Sequence, residues 1–270
     1  INVDRLFLLT FTFGCGLAGL GGALSLGMLT LNPIFPLKYM VYFLMVVCVG
    51  GAGTITGPFL AALIVGIGDV AGKYYVPQTG GFLIYLLMLA LVLPRRGLLL
   101  VEILFWIALA ASFFIFPDRL YLLTQILIAA LFAVSLDIAL GYAGILTLGH
   151  AVFFGMGAYT AGLLAKGGWA EPLTGLALAF VLCGLIAYAL SVMVVRAGEL
   201  TQLMVTIAVG AICLEIANQA TPITGGSDGL QGISMWPVLG AFDFDLWGKT
   251  AFVYTFVVVL ALFVVVRRML

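Results

Sequence analysis

The sequence predicts an all-α protein, a polytopic transmembrane helical bundle, and its composition and hydropathy pattern support this fold class. Of the 270 residues, 64% are hydrophobic and 8% are charged, whereas soluble domains are roughly 45–50% apolar and about 25% charged. The apolar residues fall in runs, and a run of roughly 20 residues crosses a bilayer as a helix. Because the runs lack the alternating polarity of barrel strands, we expect them to be helices.

We expect about nine to ten membrane segments, given that length requirement. Two short segments flank the glycine-rich stretch VGGAGTITGP at 49–58, which predicts a re-entrant or broken helix pair. Irregular backbone at membrane depth must be covered by protein or line a watery cavity, and broken helices often mark a solute path. The predicted segments are 6–31, 39–50, 57–72, 80–94, 99–116, 120–140, 143–165, 173–195, 200–220 and 250–266.

The basic residues at the segment ends predict an orientation, because Lys and Arg are enriched on the cytoplasmic side. The pairs Arg95-Arg96 and Arg267-Arg268 directly follow apolar runs, and we place them inside together with Arg5 and Arg196. The outer side then holds Lys38, Lys73, Arg119, Lys166 and Lys249.

Small residues recur at a four-residue spacing, for example at Gly14, Ala18 and Gly22. Helices in lipid associate through close backbone contact, so this spacing predicts tight packing. A helix face that slides or opens is the alternative interpretation. The cysteines are predicted to be small buried apolar residues; they are Cys15, Cys48, Cys183 and Cys213.

Three ionisable residues in the predicted spans, Asp137, His150 and Glu215, are candidate functional groups, because charge at membrane depth is costly. Each has a structural alternative. Asp137 can cap or bond a neighbouring helix, and His150 can bond a carbonyl across a helix interface. Glu215 shares a helical face with Asn218 and Gln219, where it either lines a vestibule or is solvated at the headgroups.

The loop from Thr221 to Lys249 is the longest polar stretch and contains TGGSDGLQG at 224–232. Its glycines expose backbone N–H and C=O groups, while Ser227 and Asp228 add a hydroxyl and a carboxylate. These groups suit recognition of a small zwitterion or docking of a partner, and an ordinary turn is the alternative.

The sequence predicts no enzyme, no cofactor and no metal site. The sequence does not contain the HExxH motif of metal-dependent hydrolases. The string WGKT at 247–250 lacks the first glycine of a phosphate-binding loop, since position 243 is Asp243. The formal net charge is zero, so no nucleic-acid partner is expected.

Four strings resemble permease subunits of branched-chain amino acid ABC importers. GYAGILTLGHAVFFGMGAYTAGLL and MVTIAVGAICLEIANQATPITGGSDGLQGI resemble the front half of an M-type subunit, and INVDRLFLLTFTFGCGLAGLGGAL and VGGAGTITGPFLAALIVG resemble the back half of an H-type subunit. The resemblance implies a back-half segment at 1–97, a junction with a connecting helix at 98–117, and a front-half segment at 118–270. This order suggests a fused permease, or a fragment of one.

The resemblance also implies a function, a location and a site. The protein would move a branched-chain or similar small amino acid across the bacterial inner membrane. Its partners would be two cytoplasmic ATP-binding subunits, a periplasmic binding protein, the lipid bilayer, and a second permease or the rest of a fused one. The substrate path or outer mouth would include Gly50, Gly51, Gly53, Thr54, Gly57, Asp137, Gly141, Gly144, Gly149, His150, Glu215, Gly225, Gly226, Ser227, Asp228 and Gly229.

The chain departs from the family pattern at three positions. Asp137 stands where the family usually has Asn, and Thr147 and Thr54 stand where it usually has Ser. The helix that docks the ATPase would precede Ile1 in one half and follow Leu270 in the other, so coupling residues are not assigned. The alternatives are a urea or short-amide ABC permease, a secondary transporter, a membrane-embedded enzyme, or a structural membrane subunit.

Overall fold

The described part of the chain is almost entirely helical. The computed structural model describes residues 3–26, 43, 46, 47, 50, 51, 55–75, 106, 107, 109–114, 117–145, 147, 149–195, 199–245 and 248–269. Within these residues there is no β-strand, only an isolated bridge between Val238 and Phe242. The predicted fold class, a helical membrane bundle, is confirmed.

Where the structure describes them, most helix bounds follow the predicted apolar runs; the run 80–94 and parts of the runs 39–50 and 99–116 lie outside the described residues. The long helices are α1 (Val3–Leu24), α2 (Thr56–Tyr75), α3 (Leu120–Asp137), α4 (His150–Lys166), α5 (Pro172–Val195), α6 (Glu199–Gln219) and α7 (Lys249–Met269). Short helical turns lie between them: a 3-10 turn at Pro117–Arg119, a π-helical turn at Ile138–Tyr142, an α-helical turn at Thr221–Thr224 and a 3-10 turn at Gly226–Asp228. Stretches long and apolar enough to cross a membrane are Arg5–Leu24, Leu120–Tyr142, Pro172–Val194, Thr201–Gln219 and Lys249–Met269.

Helix α1 lies at the centre of the bundle, where it packs against α3, α4 and α5. Its glycine face allows this close approach. A Cβ added at Gly22 would collide with the carbonyl of Phe154 in α4, and one added at Gly19 would collide with Cys183 in α5. These contacts confirm the tight packing that the small-residue spacing predicts.

Contacts of α1 cross the boundary of the expected segments. Gly14 of the first segment approaches the carbonyl of Ser135 in α3, with 3.1 Å to a Cβ built at the glycine. Thus a helix from 1–97 is buried among helices from 118–270. The division into those two segments and a junction at 98–117 stays a prediction.

A second layer of aromatic contacts joins α2 and α7 to α3. The rings of Phe59 in α2 and Phe263 in α7 lie 4.7 Å apart, and Phe59 stacks on Trp106 at 5.0 Å. Both α2 and α7 also contact α3. Helix α3 is therefore buried along most of its length, which places Thr124, Ser135 and Asp137 inside the protein.

One predicted segment differs from the observed helix. The apolar run 143–165 was expected to be helical throughout, whereas α4 begins at His150. The glycines at 144 and 149 explain the late start, because Gly144 has φ +66° and glycine adopts this conformation at little cost.

Candidate functional site

The first candidate element is the break before α2. Gly50 is helical and Gly51 has φ +83°, while α2 begins at Thr56. A Cβ at Gly50 would collide with the backbone of Pro58, so the chain folds back closely onto the first turn of α2. The predicted helix break is therefore present. Gly57 lies in that first turn, and Gly53 and Thr54 lie outside the described residues.

The second candidate element lies between α3 and α4. Helix α3 widens into the π-helical turn at Ile138–Tyr142, and the described residues between that turn and α4 are irregular. Such π-turns frequently occur at functional sites. Asp137, at the start of this turn, is fully buried. Its side chain makes no capping hydrogen bond to this turn.

His150 joins three helices through a buried hydrogen-bond chain. It is 1% exposed and opens α4. Its Nε2 lies 3.1 Å from Ser135 Oγ in α3, and its Nδ1 lies 3.8 Å from Cys15 Sγ in α1. The sequence suggested a carbonyl partner across a helix interface, but the observed partner is a hydroxyl.

The hydrogen bonds define which imidazole nitrogen carries the proton. Ser135 Oγ donates its proton to the carbonyl of Phe132 at 2.6 Å, so towards His150 it accepts. Nε2 of His150 must then carry the hydrogen, and Nδ1 is left as an acceptor for the Cys15 thiol. All three side chains are satisfied with a neutral imidazole, as a buried group requires.

The depth of this element follows from its contact with α6. A Cβ at Gly149 would collide with the carbonyl of Thr206. Thr206 lies seven residues after Glu199, the start of α6, which corresponds to roughly 10 Å at 1.5 Å per residue. The irregular backbone before His150 therefore lies well inside the length of a membrane-crossing helix.

Glu215 lies on an exposed face of α6. Its Oε1 accepts a hydrogen bond of 2.6 Å from Nε2 of Gln219, one turn later. Both residues are exposed, and Asn218 is partly buried. Since α6 ends at Gln219, this amide–carboxylate pair lies within about 6 Å of the helix end.

The loop glycines form a compact turn on the end of α6. Gly225, Gly226 and Gly229 have φ values of +80°, +62° and +71°. These backbone conformations favour glycine, because other residues adopt positive φ at a cost. A Cβ at Gly225 would in addition collide with the carbonyl of Gly229. Ser227 and Asp228 are exposed at the tip, where Ser227 Oγ lies 3.4 Å from Asp228 Oδ1.

Thr224 ties this turn to α6. Its hydroxyl lies 2.6 Å and 2.8 Å from the carbonyls of Ala217 and Ala220, and it accepts a hydrogen bond of 3.3 Å from the N–H of Gly226. The turn thus completes the hydrogen bonding of the last carbonyls of the helix.

We expect Thr224→Val to loosen the turn by about 1–2 kcal/mol, because it keeps the side-chain shape but leaves these backbone groups unsatisfied. Hydrogen exchange at Gly226 and Ser227 should become at least fivefold faster, a rise that about 1 kcal/mol produces. Ser227→Ala is the control, since it removes only the local contact with Asp228. Equal exchange in the two variants would contradict this role.

The structure brings together some of the predicted site residues. Gly149 contacts α6, His150 joins α1, α3 and α4, and Gly225 to Gly229 form one turn. Glu215 is bonded to Gln219 instead of to that junction. Aromatic contacts connect the helical residue Phe43 to His150. The ring centroids of Phe43 and Phe132 lie 4.2 Å apart, and those of Phe132 and His150 lie 5.5 Å apart.

The sequence did not single out several of these residues. Cys15 and Cys183 are buried as expected, but Cys15 also bonds His150. Cys213 is only half-buried, which differs from the prediction, because α6 has few close neighbours. Cys48 lies outside the described residues. Ser135 stands two residues before Asp137, a separation that does not place two side chains on one helix face, so its spacing carried no signal.

Within the described part of the chain, no three His, Cys, Asp or Glu side chains are grouped closely enough to hold a metal ion. The hydrogen-bonded side chains of the site are paired with nearby side chains or with backbone carbonyls. The arrangement is therefore suited to holding helices at fixed distances and to exposing backbone at a break.

Comparison with known proteins identifies the family. Residues 1–92 and 119–270 match the family described as the permease component of the branched-chain amino acid transport system. No curated protein and no solved structure matches the chain. The matched ranges hold both helix breaks, the His150 junction and the loop glycines. The chain belongs to the family of branched-chain amino acid transport permease components, and it is a multi-pass membrane protein.

Proposed function

We propose that the chain is the permease of an ABC importer that carries a branched-chain amino acid into the cell across the bacterial inner membrane. The family match over most of the chain carries the proposal. Two cytoplasmic ATP-binding subunits supply the energy, a periplasmic binding protein delivers the amino acid, and a second permease unit completes the pathway.

The packing of the bundle supports a moving permease. Helix α1 is held at backbone contact by glycines, while α6 makes few contacts with α4 and α5. Because lipid gives little hydrophobic drive for helix association, a loosely packed helix costs little to displace. Helices α1, α3, α4 and α5 then form a fixed body, and α6 is the element that moves against it.

The candidate residues take two positions in this proposal. The breaks at Gly50–Gly57 and at Asp137–His150 lie beside the path at membrane depth. The turn at Gly225–Gly229, with Ser227 and Asp228 at its tip, faces the binding protein at the outer mouth. The turn shares a side with Lys166, since the N–H of Trp236 bonds the carbonyl of Ala170 at 3.0 Å, just after α4.

The test is uptake by the full-length permease assembled with its ATPases in lipid vesicles. With the binding protein present on the outer-mouth side, radiolabelled leucine, isoleucine or valine should cross the vesicle membrane only when ATP is supplied on the ATPase side. Uptake driven by an ion gradient without ATP would identify a secondary transporter. Uptake competed by urea or acetamide, and not by leucine, would identify an amide permease.

The path role of Asp137 has a matched test, because the family usually has Asn at this position. Asp137→Asn keeps the size of the side chain and removes its acid group. We expect it to assemble normally and to change the initial rate of leucine uptake at least threefold. An unchanged rate in this variant and in Asp137→Ala would remove Asp137 from the path.

A further inference from the structure

An open groove separates α4 from α6 on the side of the bundle, and its volume is about 300 Å³. One wall comes from α4 and the other from α6. Ile216 lines the groove and is 60% exposed, so the groove opens onto the surface of the bundle. Other lining residues include Gly155, Met156, Tyr159, Gly210, Cys213 and Ala217.

The groove exists because α4 and α6 are in close contact at one end only. A Cβ added at Gly149 would collide with the Thr206 carbonyl, as described above. One turn further on, a Cβ at Gly210 would lie 3.4 Å from Cγ2 of Val152, an ordinary contact. Beyond that contact the two helices line the groove, which reaches as far as Thr224, after the end of α6.

The accessible surface of the groove is almost entirely apolar. Its two hydroxyl groups are not available to a ligand, because the Tyr159 hydroxyl oxygen is buried and the Thr224 hydroxyl bonds the carbonyls of Ala217 and Ala220. A zwitterionic solute that entered would lose water from its charged groups and gain no partner from these side chains, which is costly. The lining residues therefore favour a hydrocarbon occupant.

The groove lies within one half of the bilayer. Gly210 stands near the middle of α6, which spans Glu199–Gln219, and Ala217 stands two residues before its end. The distance along the helix from Gly210 to Ala217 is roughly 10 Å. Since one leaflet of the hydrocarbon core is about 15 Å deep, the groove lies at the depth of the acyl chains of a single leaflet.

The groove is too narrow for a helix. Its volume of about 300 Å³ over a length of roughly 10 Å corresponds to a mean cross-section of about 30 Å². A helix with its side chains is about 10 Å across, which corresponds to about 80 Å². One extended hydrocarbon chain fits these dimensions, whereas a neighbouring helix does not.

The α4 wall of the groove leads to a basic residue. Val152, Met156 and Tyr159 recur at intervals of three or four residues, so they lie on one face of α4. The same intervals continue to Leu163 and to Lys166, the last residue of the helix. Lys166 is exposed, and a lysine ammonium commonly binds phosphate.

Trp169 indicates that this end of α4 lies at the level of the lipid headgroups. The side chain is 57% exposed, and its Nε1 N–H donates a hydrogen bond of 2.9 Å to Thr174 Oγ1. Trp is enriched where a membrane meets water, because its ring is apolar and its N–H is polar. Lys166 lies three residues before Trp169, so its ammonium is at the depth of lipid phosphates.

We propose that the groove holds one acyl chain of a phospholipid, whose phosphate group binds the Lys166 ammonium. The acyl chain fills the space that α4 and α6 leave open, so it packs the loosely held α6 against the bundle where direct contact ends. The proposal concerns lipid binding alone and is independent of which solute the chain transports.

The test is photo-crosslinking of the full-length permease in phosphatidylcholine vesicles. Two probes carry the same diazirine-bearing acyl chain: phosphatidylglycerol, and diacylglycerol, which has no phosphate. Mass spectrometry compares labelling of Met156, in the groove, with labelling of Leu185, which is 61% exposed on α5. We expect the Met156-to-Leu185 ratio to be roughly fivefold higher with phosphatidylglycerol, because a surface lysine attracts lipid phosphate. Lys166→Gln should remove this difference.

A bulky side chain in the groove provides a second arm of the test. Ala217→Phe places a ring on the groove wall. Ala211→Phe is the matched control, because Ala211 is exposed on the same helix and does not line the groove. We expect Ala217→Phe to lower the Met156-to-Leu185 ratio for phosphatidylglycerol at least threefold, and Ala211→Phe to leave it unchanged.

The proposal is wrong if the two lipid probes give equal Met156-to-Leu185 ratios, because the groove then holds bulk lipid without a phosphate contact. A phosphatidylglycerol preference that survives Lys166→Gln would also overturn it. If neither probe labels Met156, protein covers the groove and the proposal fails. Equal lowering of the ratio by the two phenylalanine variants would show that the effect does not come from filling the groove, and would overturn the assignment of the acyl chain to it.

Discussion

Gly157→Ala should destabilise the bundle by roughly 3 kcal/mol. The added Cβ would collide with the carbonyl carbon and oxygen of Gly19, so the backbones of α1 and α4 must move apart. Overpacking of this kind typically costs about 1–3 kcal/mol, and a rigid backbone neighbour leaves no side chain to adjust. Thermal unfolding of the detergent-solubilised protein measures the change.

Gly184→Ala is the matched control, because it adds the same methyl group to a helix where there is space. Its Cβ would lie 3.8 Å from Cγ2 of Thr12 in α1, an ordinary contact. We expect stability to stay unchanged or to rise by up to about 1 kcal/mol, the gain of alanine over glycine in a helix. If both variants unfold at the same temperature, the α1–α4 contact is not as close as described.

His150→Ala should cost about 2–4 kcal/mol of stability, because it removes a buried ring and leaves a cavity beside Phe132. It also removes the acceptor of the Cys15 thiol and the donor to Ser135. His150→Gln retains a donor and much of the volume, so we expect it to lose about half as much. Unfolding in mixed micelles, titrated with a denaturing detergent, provides the comparison.

A double-mutant cycle with Ser135→Ala isolates the hydrogen bond itself. If Nε2–H of His150 bonds Ser135 Oγ as the geometry indicates, the double variant should lose less than the sum of the single losses, by about 1 kcal/mol. Strict additivity would argue against the bond. Uptake assays on the same variants address transport: unchanged uptake in both His150→Gln and His150→Ala would remove His150 from the proposed path.

Hydropathy and glycine content were enough to predict the helices and the break before α2, but not the late start of α4 or the partners of the polar groups. A run of apolar residues has to cross the membrane as a helix because its backbone must be satisfied internally, so α3, α5 and α7 follow from local sequence. The partners of His150 lie 15 and 135 residues away. Nothing in a local window indicates which of several buried hydroxyls and thiols will meet one imidazole.

The groove between α4 and α6 was not predicted for a related reason. The sequence marks Gly155 and Gly210 only as glycines, and a small residue allows close contact in one place and leaves an opening in another. Contact results at Gly149 because Thr206 presents its carbonyl there. The opening near Cys213 depends on the direction in which α6 continues beyond that contact. Tertiary packing sets this direction.

The central position of α1 has a consequence for biosynthesis. This helix leaves the ribosome before α3, α4 and α5, and His150, the partner of its Cys15 thiol, follows 135 residues after Cys15. At about 5–20 residues per second of translation, the nascent chain carries α1 in the membrane for on the order of ten seconds before α4 exists. Throughout that interval its glycine-lined surface faces lipid or a membrane insertion factor, and the permanent neighbours arrive only as later helices are released.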